Sequence, residues 1–365
     1  MKKRYATIAV IAAAVLLAST YFFVANQFLY NQPKQILTVY CATSLEYPLA
    51  RVEADFEKAN PNVDVQIQGH GTIQVIRHIT ELGFKADVAL VADYSLIPRM
   101  MYPTQMPGTN QSFANYYVRF ATNSLVLAYT NTSKYAGEVN GSNWYQILDY
   151  PDVKLGFANP ELDALGYRTL TTIQLAQDYY SNKTLFHDLI TENMDPPINS
   201  IPDGSNYIIS IPDTQEPRGD KLTLRASEVD LIALLQTGNL DFCFMYLSNA
   251  KQYGFNYVTL PDEINLASPQ YQSNYERVQV VYSHERFATI TLDRKGETIY
   301  YGLTLPANAP NPSMAVKFVQ FLLVGQGKAD FDACYQPVFT PSYTDNLTAI
   351  PEPLRSLVAA EPLKA

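Results

Sequence analysis

From Ile36 onward the chain alternates short apolar runs with stretches of helical periodicity, and few folds accept that order. Ile36 to Ala42 reads as a buried strand, and Leu45, Leu49, Val52 and Phe56 follow at helical spacing. Pro48 falls in the first turn, where a missing N–H costs nothing. Asn60-Pro61 stops that helix, and Val63 to Gln68 alternates as a strand. Ile73, Ile76, Ile79 and Leu82 mark the next helix, closed by Gly83, and Ala86 to Ala92 is a third apolar strand. Strand, helix, strand, helix, strand at this spacing predicts βαβ units and a parallel sheet.

A second set of the same kind follows. Ser124 to Thr130 and Leu155 to Ala158 read as strands, Tyr167 to Tyr180 as a helix, and Phe186 to Glu192 as a further helical stretch. Ala226 to Gln236 is helical up to Gly238; Asp241 to Leu247 and Tyr257 to Leu260 are strands. Asp195 to Asp220, rich in Pro, Gly and Asp, reads as a loop or insertion. Ile299 to Leu305 and Ala315 to Leu323 supply a late strand and helix. No internal repeat is visible. The expected architecture is two α/β lobes with a cleft between them: residues 36–122 first, 123–270 second, 271–345 returning to the first, and 346–365 as a tail. Ligands in such sheets bind at the carboxyl ends of strands, near helix N-termini.

Composition excludes several classes. A net charge of −9 over 365 residues argues against a nucleic-acid groove. The four histidines, at 70, 78, 187 and 284, fall in no zinc-ligand spacing. Cys41, Cys243 and Cys334 are too few and scattered for a disulfide framework, and read as buried apolar residues. Lys2, Lys3 and Arg4 precede an apolar run from Ala6 to about Phe28, the pattern of an export signal or membrane anchor. At about 20 residues the run is long enough to span a bilayer. The basic stub stays inside, so the rest faces out. Sequons at Asn110, Asn131, Asn140, Asn182 and Asn346 accord with an exterior location.

Three strand-to-helix junctions carry the polar chemistry. Ala42-Thr43-Ser44-Leu45 and Gly69-His70-Gly71-Thr72 place hydroxyls and N–H groups where a helix begins. Either is an ordinary cap or part of an anion cradle; two on successive βα units would face one cleft. The third, Asn159 to Arg168, sets Asp163 to cap a helix. Ser227-Glu228 opens another, with Asp230 completing an acidic first turn that complements the helix dipole.

Taken in order, these segments resemble the archaeal-type molybdate/tungstate-binding proteins of ABC importers. The resemblance runs from about Leu37 to Pro341. It is carried by Ala42-Thr43-Ser44-Leu45 with Pro48, Ile79-Thr80-Glu81-Leu82-Gly83, Ala86-Asp87-Val88, Ala92 to Pro98 and Leu127-Ala128-Tyr129-Thr130-Asn131. Asn143 to Leu148, Asp163 with Gly166-Tyr167-Arg168, Glu228-Val229 and Tyr253-Gly254-Phe255 complete it. It implies a two-lobed periplasmic-binding-protein fold of type II, with mixed, mostly parallel sheets, that closes on its ligand. It further implies an oxyanion held by Thr43, Ser44 and Thr72 from one lobe, and by the backbone of Asp163, Ala164 and Leu165 with Tyr246 from the other. Asp163 and Glu228 would bond the metal itself and complete six-coordination. The family usually has glycine where this chain has Thr43, and a β-branched residue there implies a reshaped loop.

That ligand set makes chemical sense. Carboxylates repel a tetrahedral dianion unless they bond its central atom. Molybdenum and tungsten expand their coordination; sulfur and phosphorus do not readily do so. The resemblance also implies permease and ATPase partners and no cofactor. The expected protein is a monomeric, membrane-attached or secreted binder that is not an enzyme and takes no nucleic acid. Two other readings stand beside it: a binder of sulfate, phosphate, iron or another solute, and a hydrolase using Asp163 and Glu228 as acid and base. No Gly-x-Ser-x-Gly elbow supports the hydrolase.

Overall fold

The computed structural model describes residues 33–282 and 293–362, together with Leu16, Ser19 and Thr20. The expected anchor therefore lies outside the described residues almost entirely, as does most of Tyr282 to Lys295. Among the described residues no helix is long and apolar enough to cross a membrane.

The chain forms two α/β lobes, each around its own sheet. The first sheet has seven strands in the order Val358–Ala360, Val338–Thr344, Val118–Thr122, Tyr300–Thr304, Val88–Val91, Gln35–Ala42, Val63–His70. The second has five, in the order Leu222–Arg225, Leu155–Ala158, Phe242–Tyr246, Leu125–Tyr129, Asn256–Thr259. In the first lobe Gln35–Ala42 pairs in parallel with both its neighbours, and Tyr300–Thr304 then runs antiparallel between Val88–Val91 and Val118–Thr122. In the second lobe Leu155–Ala158 pairs in parallel with both neighbours, and Leu125–Tyr129 runs antiparallel between Phe242–Tyr246 and Asn256–Thr259. The two lobes thus repeat one topology, second strand, first, third, then an antiparallel strand supplied as the chain crosses over.

Four helices follow the first and second strands of each lobe: α1 (Glu46–Ala59), α2 (Thr72–Thr80), α3 (Ala164–Tyr179) and α4 (Glu228–Gln236). Helix α1 buries Leu49, Val52 and Phe56, the stripe read from its sequence. Phe56 packs edge-on against Phe318, ring centroids 5.2 Å apart, tying α1 to the Pro312–Leu323 helix. Helix α3 is buried from Ala164 to Ala176, so it runs through the interior rather than along a surface. Cys41, Cys243 and Cys334 are free and buried.

Two segments depart from the sequence reading. The stretch read as a loop, Asp195 to Asp220, contains strands Asn199–Asp203 and Asn206–Ile211, joined by a turn with Gly204 at φ 62°. Asn206–Ile211 pairs in parallel with Val278–Tyr282 and buries Ile209 and Ile211. Punctuation by Pro, Gly and Asp hid that short alternation, although the two strands also pair with each other as a hairpin. At the other end, residues 346–362 form part of the first lobe. Val358–Ala360 extends its sheet, and Glu361 pairs with Arg119 at 2.7 Å.

Gly71 sits where the lobes meet. A Cβ there would come within 2.3 Å of the Leu162 carbonyl oxygen and 3.1 Å of that of Ala226, both in the other lobe. Its φ of −57° suits any residue, so the obstacle is steric and lies wholly across the cleft. Gly71→Ala is expected to lower the melting temperature by no more than about 4 °C yet to hold the lobes apart. Small-angle scattering, under conditions that compact the parent, should show an expanded variant; equal compaction would contradict this account.

Candidate functional site

The carboxyl ends of the equivalent strands in the two lobes face each other. After the first strand of each lobe come Thr43 and Ser44 on one side and Asp163 on the other. After the second come Thr72 and Glu228, and after the third Ala92 and Tyr246. Thr43, Ser44, Thr72, Asp163, Glu228 and Tyr246 are all buried, as are Ala164 and Leu165. The lobes touch directly here: the Ile73 N–H donates to the Leu162 carbonyl at 3.1 Å.

Asp163 caps α3, its Oδ1 accepting from the Leu165 N–H at 3.0 Å. The spacing of the sequence foretold that role. The Leu165 N–H is therefore engaged by the Asp163 side chain. Burial pushes the Asp163 carboxyl up to about 6, against the opposing pull of the Leu165 N–H and the Arg168 charge. Glu228 opens α4 behind a capping box, in which the Ser227 N–H donates to Asp230 Oδ2 at 3.1 Å. Its Oε1 accepts from the Tyr246 N–H at 2.7 Å, while Oε2 is buried without a partner among the described residues. Burial raises the Glu228 carboxyl well above its ordinary range, and the Asp163 charge adds to the effect. The two acids are thus close enough to feel each other.

Thr43 begins a single 3-10 turn, Thr43–Leu45, that leads into α1. It is not among the residues of positive φ, so its branched side chain is accommodated without left-handed backbone. Its hydroxyl is buried and has no partner. Thr72 accepts from the Ala92 N–H at 3.1 Å, and Ser44 accepts from the Tyr301 hydroxyl at 3.2 Å. Tyr246 accepts from Arg168 Nη1 at 2.7 Å.

Sequence reasoning used Arg168 only as part of the family motif and overlooked Tyr301 and Asn123. Arg168 is buried and spans the cleft, its Nη1 also donating to the Ala92 carbonyl at 2.8 Å, while Nη2 lacks a partner. No local pattern marks Tyr301, which lies 257 residues from Ser44 in the chain. Beside this group Asp93 accepts from the Tyr167 hydroxyl at 2.5 Å and from the Ser95 N–H at 2.9 Å.

Elsewhere, an open cavity of about 610 Å³ on the second lobe is lined by residues including Lys134, Asp149, Asp152 and Lys221. Two of its lysines are already paired, Lys134 with Asp152 at 3.4 Å and Lys221 with Asp149 at 3.9 Å. His187, Asp188 and Glu192 lie within metal-ligating reach of one another on the surface, where such groups are common without an ion. Among the described residues, the buried side-chain atoms without a partner at these strand ends include Thr43 Oγ1, Arg168 Nη2 and Glu228 Oε2. Together with two desolvated acids at helix starts, they mark this cleft as the candidate site.

The sequence matches the family described as bacterial extracellular solute-binding proteins over residues 37–333. The chain belongs to that family. An uncharacterized solute-binding protein of Methanococcus maripaludis is 35% identical over 324 residues, 89% of this chain and 88% of its own length. The molybdate/tungstate-binding protein WtpA of Pyrococcus abyssi is 35% identical over 334 residues, 88% of this chain and 89% of its own. Among solved structures, the sulfate-binding protein SubI of Mycobacterium tuberculosis superposes with a TM-score of 0.53 at 12% identity, covering 84% of this chain and 88% of its own. The substrate-binding protein of an ABC transporter from Agrobacterium tumefaciens gives 0.53 at 14% identity, covering 91% and 88%. These structures share the two-lobed fold.

In this solute-binding protein the buried acids make stability depend on pH. A carboxyl raised in the folded state keeps its proton after the unfolded chain has lost it. Its stabilising share is full below the unfolded value and is lost as pH rises through the folded one. For Asp163 that window runs from 3.8 to about 6; for Glu228 it starts at 4.5 and extends higher. Glu228→Gln keeps the shape and the bond from Tyr246 but cannot ionise. In buffer free of oxyanions it is expected to melt above the parent, by roughly 2–5 °C at pH 8, with a smaller gap at pH 5. A variant that melts below the parent at pH 8 would refute the assignment.

Proposed function

We propose that this protein captures molybdate or tungstate outside the cytoplasm and delivers it to an ABC importer. The observation that carries the reading is the pairing of Asp163 with Glu228, two buried carboxyls at neighbouring helix starts of the second lobe, one oxygen of which has no partner among the described residues. The name of the Pyrococcus abyssi relative, over 88% of the chain, supports the choice of ligand. On this reading the hydroxyl side of the cleft, Thr43, Ser44 and Thr72, donates to the anion's oxygens, with Tyr246 and the backbone at Ala164 opposite. Asp163 and Glu228 bond the metal and raise its coordination to six. A permease and an ATPase would receive the cargo, and the N-terminal segment would tether or export the chain.

The acids then serve selectivity. They penalise an anion whose central atom takes no further ligand, since two negative groups would face it in a medium that screens poorly. They reward one whose centre binds them. Replacing either acid removes both effects.

Calorimetry with molybdate, tungstate, sulfate and phosphate tests this, beside X-ray absorption at the metal edge. Asp163→Asn retains a cap, since Asn caps as well as Asp, so the fold should persist. It and Glu228→Gln are each expected to weaken molybdate and tungstate binding about tenfold or more, one decade per 1.4 kcal/mol. Sulfate affinity should hold or rise. The bound metal should show six oxygen neighbours. A tetrahedral bound anion, or unchanged affinity in both variants, would remove the acids from the ligand set.

A further inference from the structure

We infer that Tyr301 and Arg168 are positioning residues that lock the hydroxyls of Ser44 and Tyr246 as proton donors to the cleft. A hydroxyl can donate or accept, so its role toward a ligand is set by what holds its other side. Here that other side can be traced back to groups with only one possible role.

The chain of reasoning starts at Asn123. Its Oδ1 accepts from two backbone N–H groups, Ser124 at 3.0 Å and Ser248 at 3.3 Å. That fixes the amide, so Nδ2 must be the donor, and it gives to Ser248 Oγ at 2.8 Å and to the Tyr301 hydroxyl at 3.2 Å. Ser248 passes its own proton to Asn249 Oδ1 at 3.1 Å, consistent with that direction. Tyr301 therefore accepts from Asn123 and gives its proton to Ser44 at 3.2 Å. Ser44 accepts, and its own proton is left for the cleft.

Two further hydroxyls are held in the same sense. A guanidinium can only donate, so Tyr246 accepts from Arg168 Nη1 at 2.7 Å and keeps its proton free. A backbone N–H can only donate, so Thr72 accepts from Ala92 at 3.1 Å and keeps its own free. The same Arg168 Nη1 binds the Ala92 carbonyl at 2.8 Å, which joins the Thr72 and Tyr246 arms across the lobes. Three hydroxyls from two lobes thus offer protons and ask for none. The cleft suits a solute rich in acceptors and rejects, at those positions, one that brings its own donors. The inference rests on the oxyanion reading above, in which Ser44 and Tyr246 touch the ligand.

A double-mutant cycle separates polarity from packing. The affinity of the purified chain for each of the four anions is measured for parent, Tyr301→Phe, Ser44→Ala and the double variant. Tyr301→Phe keeps the ring and should weaken binding roughly three- to tenfold in the parent, but less than about twofold in the Ser44→Ala background. Asn123→Ala, which leaves Tyr301 whole, should show the same dependence on Ser44 and serves if the phenylalanine variant folds poorly. Arg168→Met read against Tyr246→Phe is the matching cycle on the other arm. Equal losses in both backgrounds, or no loss in the parent, would overturn the inference, because Tyr301 would then act through packing or not at all. If molybdate and tungstate fail to bind but sulfate or phosphate binds, the metal-ligand reading falls while the cycle still decides the polarity. If none of the four binds, both fall.

Discussion

A buried carboxylate oxygen without a donor is the most expensive single feature of this cleft. Glu228 is 1% exposed and receives one bond, from the Tyr246 N–H, on one of its two oxygens. Asp163, its neighbour, is nearly as buried and adds like charge. The penalty for such burial is several kcal/mol per ion even after relaxation. A proton on the carboxyl relieves it partly; an electropositive centre bonded to both acids relieves it fully. The faces of the two lobes are thus complementary to a ligand more than to each other. The same holds for Thr43 Oγ1 and Arg168 Nη2, which are also buried without partners. Closure and occupancy are coupled in the ordinary thermodynamic sense: whatever satisfies these groups favours the closed arrangement by its difference in affinity between the two states.

The repeated topology explains why six junction residues converge. Each lobe presents the ends of three parallel strands, and each strand end delivers the chain to a turn or a helix start. Partial positive charge gathers there from unpaired N–H groups. The lobes use equal scaffolds for unequal chemistry. The first supplies small hydroxyl residues after its first two strands, and the second supplies acids. Arg168 and the Ala92 peptide tie the third pair of strand ends together.

Much of this was legible in the sequence where the signal was local. The strands ending at Ala42, His70 and Ala158 and the helices after them follow from apolar periodicity. So does the capping role of Asp163, which the bond from Leu165 bears out. What periodicity could not supply was the meeting of Asp163 with Glu228, residues 65 positions apart that no pattern connects; that came from the family resemblance. The internal repeat stayed hidden because the lobes share strand order but not residues: Ala-Thr-Ser at one junction faces Asn-Pro-Glu-Leu-Asp at its counterpart. The strand Asn206–Ile211 and the C-terminal strand Val358–Ala360 were missed for a related reason. Both are short and lie among Pro, Gly and Asp or Glu residues that read as loop, and their pairing outweighs that local propensity.

The asymmetry between lobes also bears on what the cleft can distinguish. Hydroxyl donors alone would take any compact oxyanion, since sulfate, molybdate and phosphate all present acceptor oxygens at similar positions. Carboxylates alone would take a cation. On the proposed reading, a site that sets hydroxyl donors from both lobes beside two desolvated acids asks for a solute negative at its periphery and electropositive at its centre. Few small solutes meet both conditions at once. Because both acids come from the second lobe while the hydroxyl donors come from both, the first lobe cannot express the selectivity by itself. On this reading, an anion that satisfies only the hydroxyl lobe would associate while leaving Glu228 Oε2 unmet, and closing over it would cost the desolvation that the right centre offsets. Discrimination would then lie in the closing step rather than in first contact.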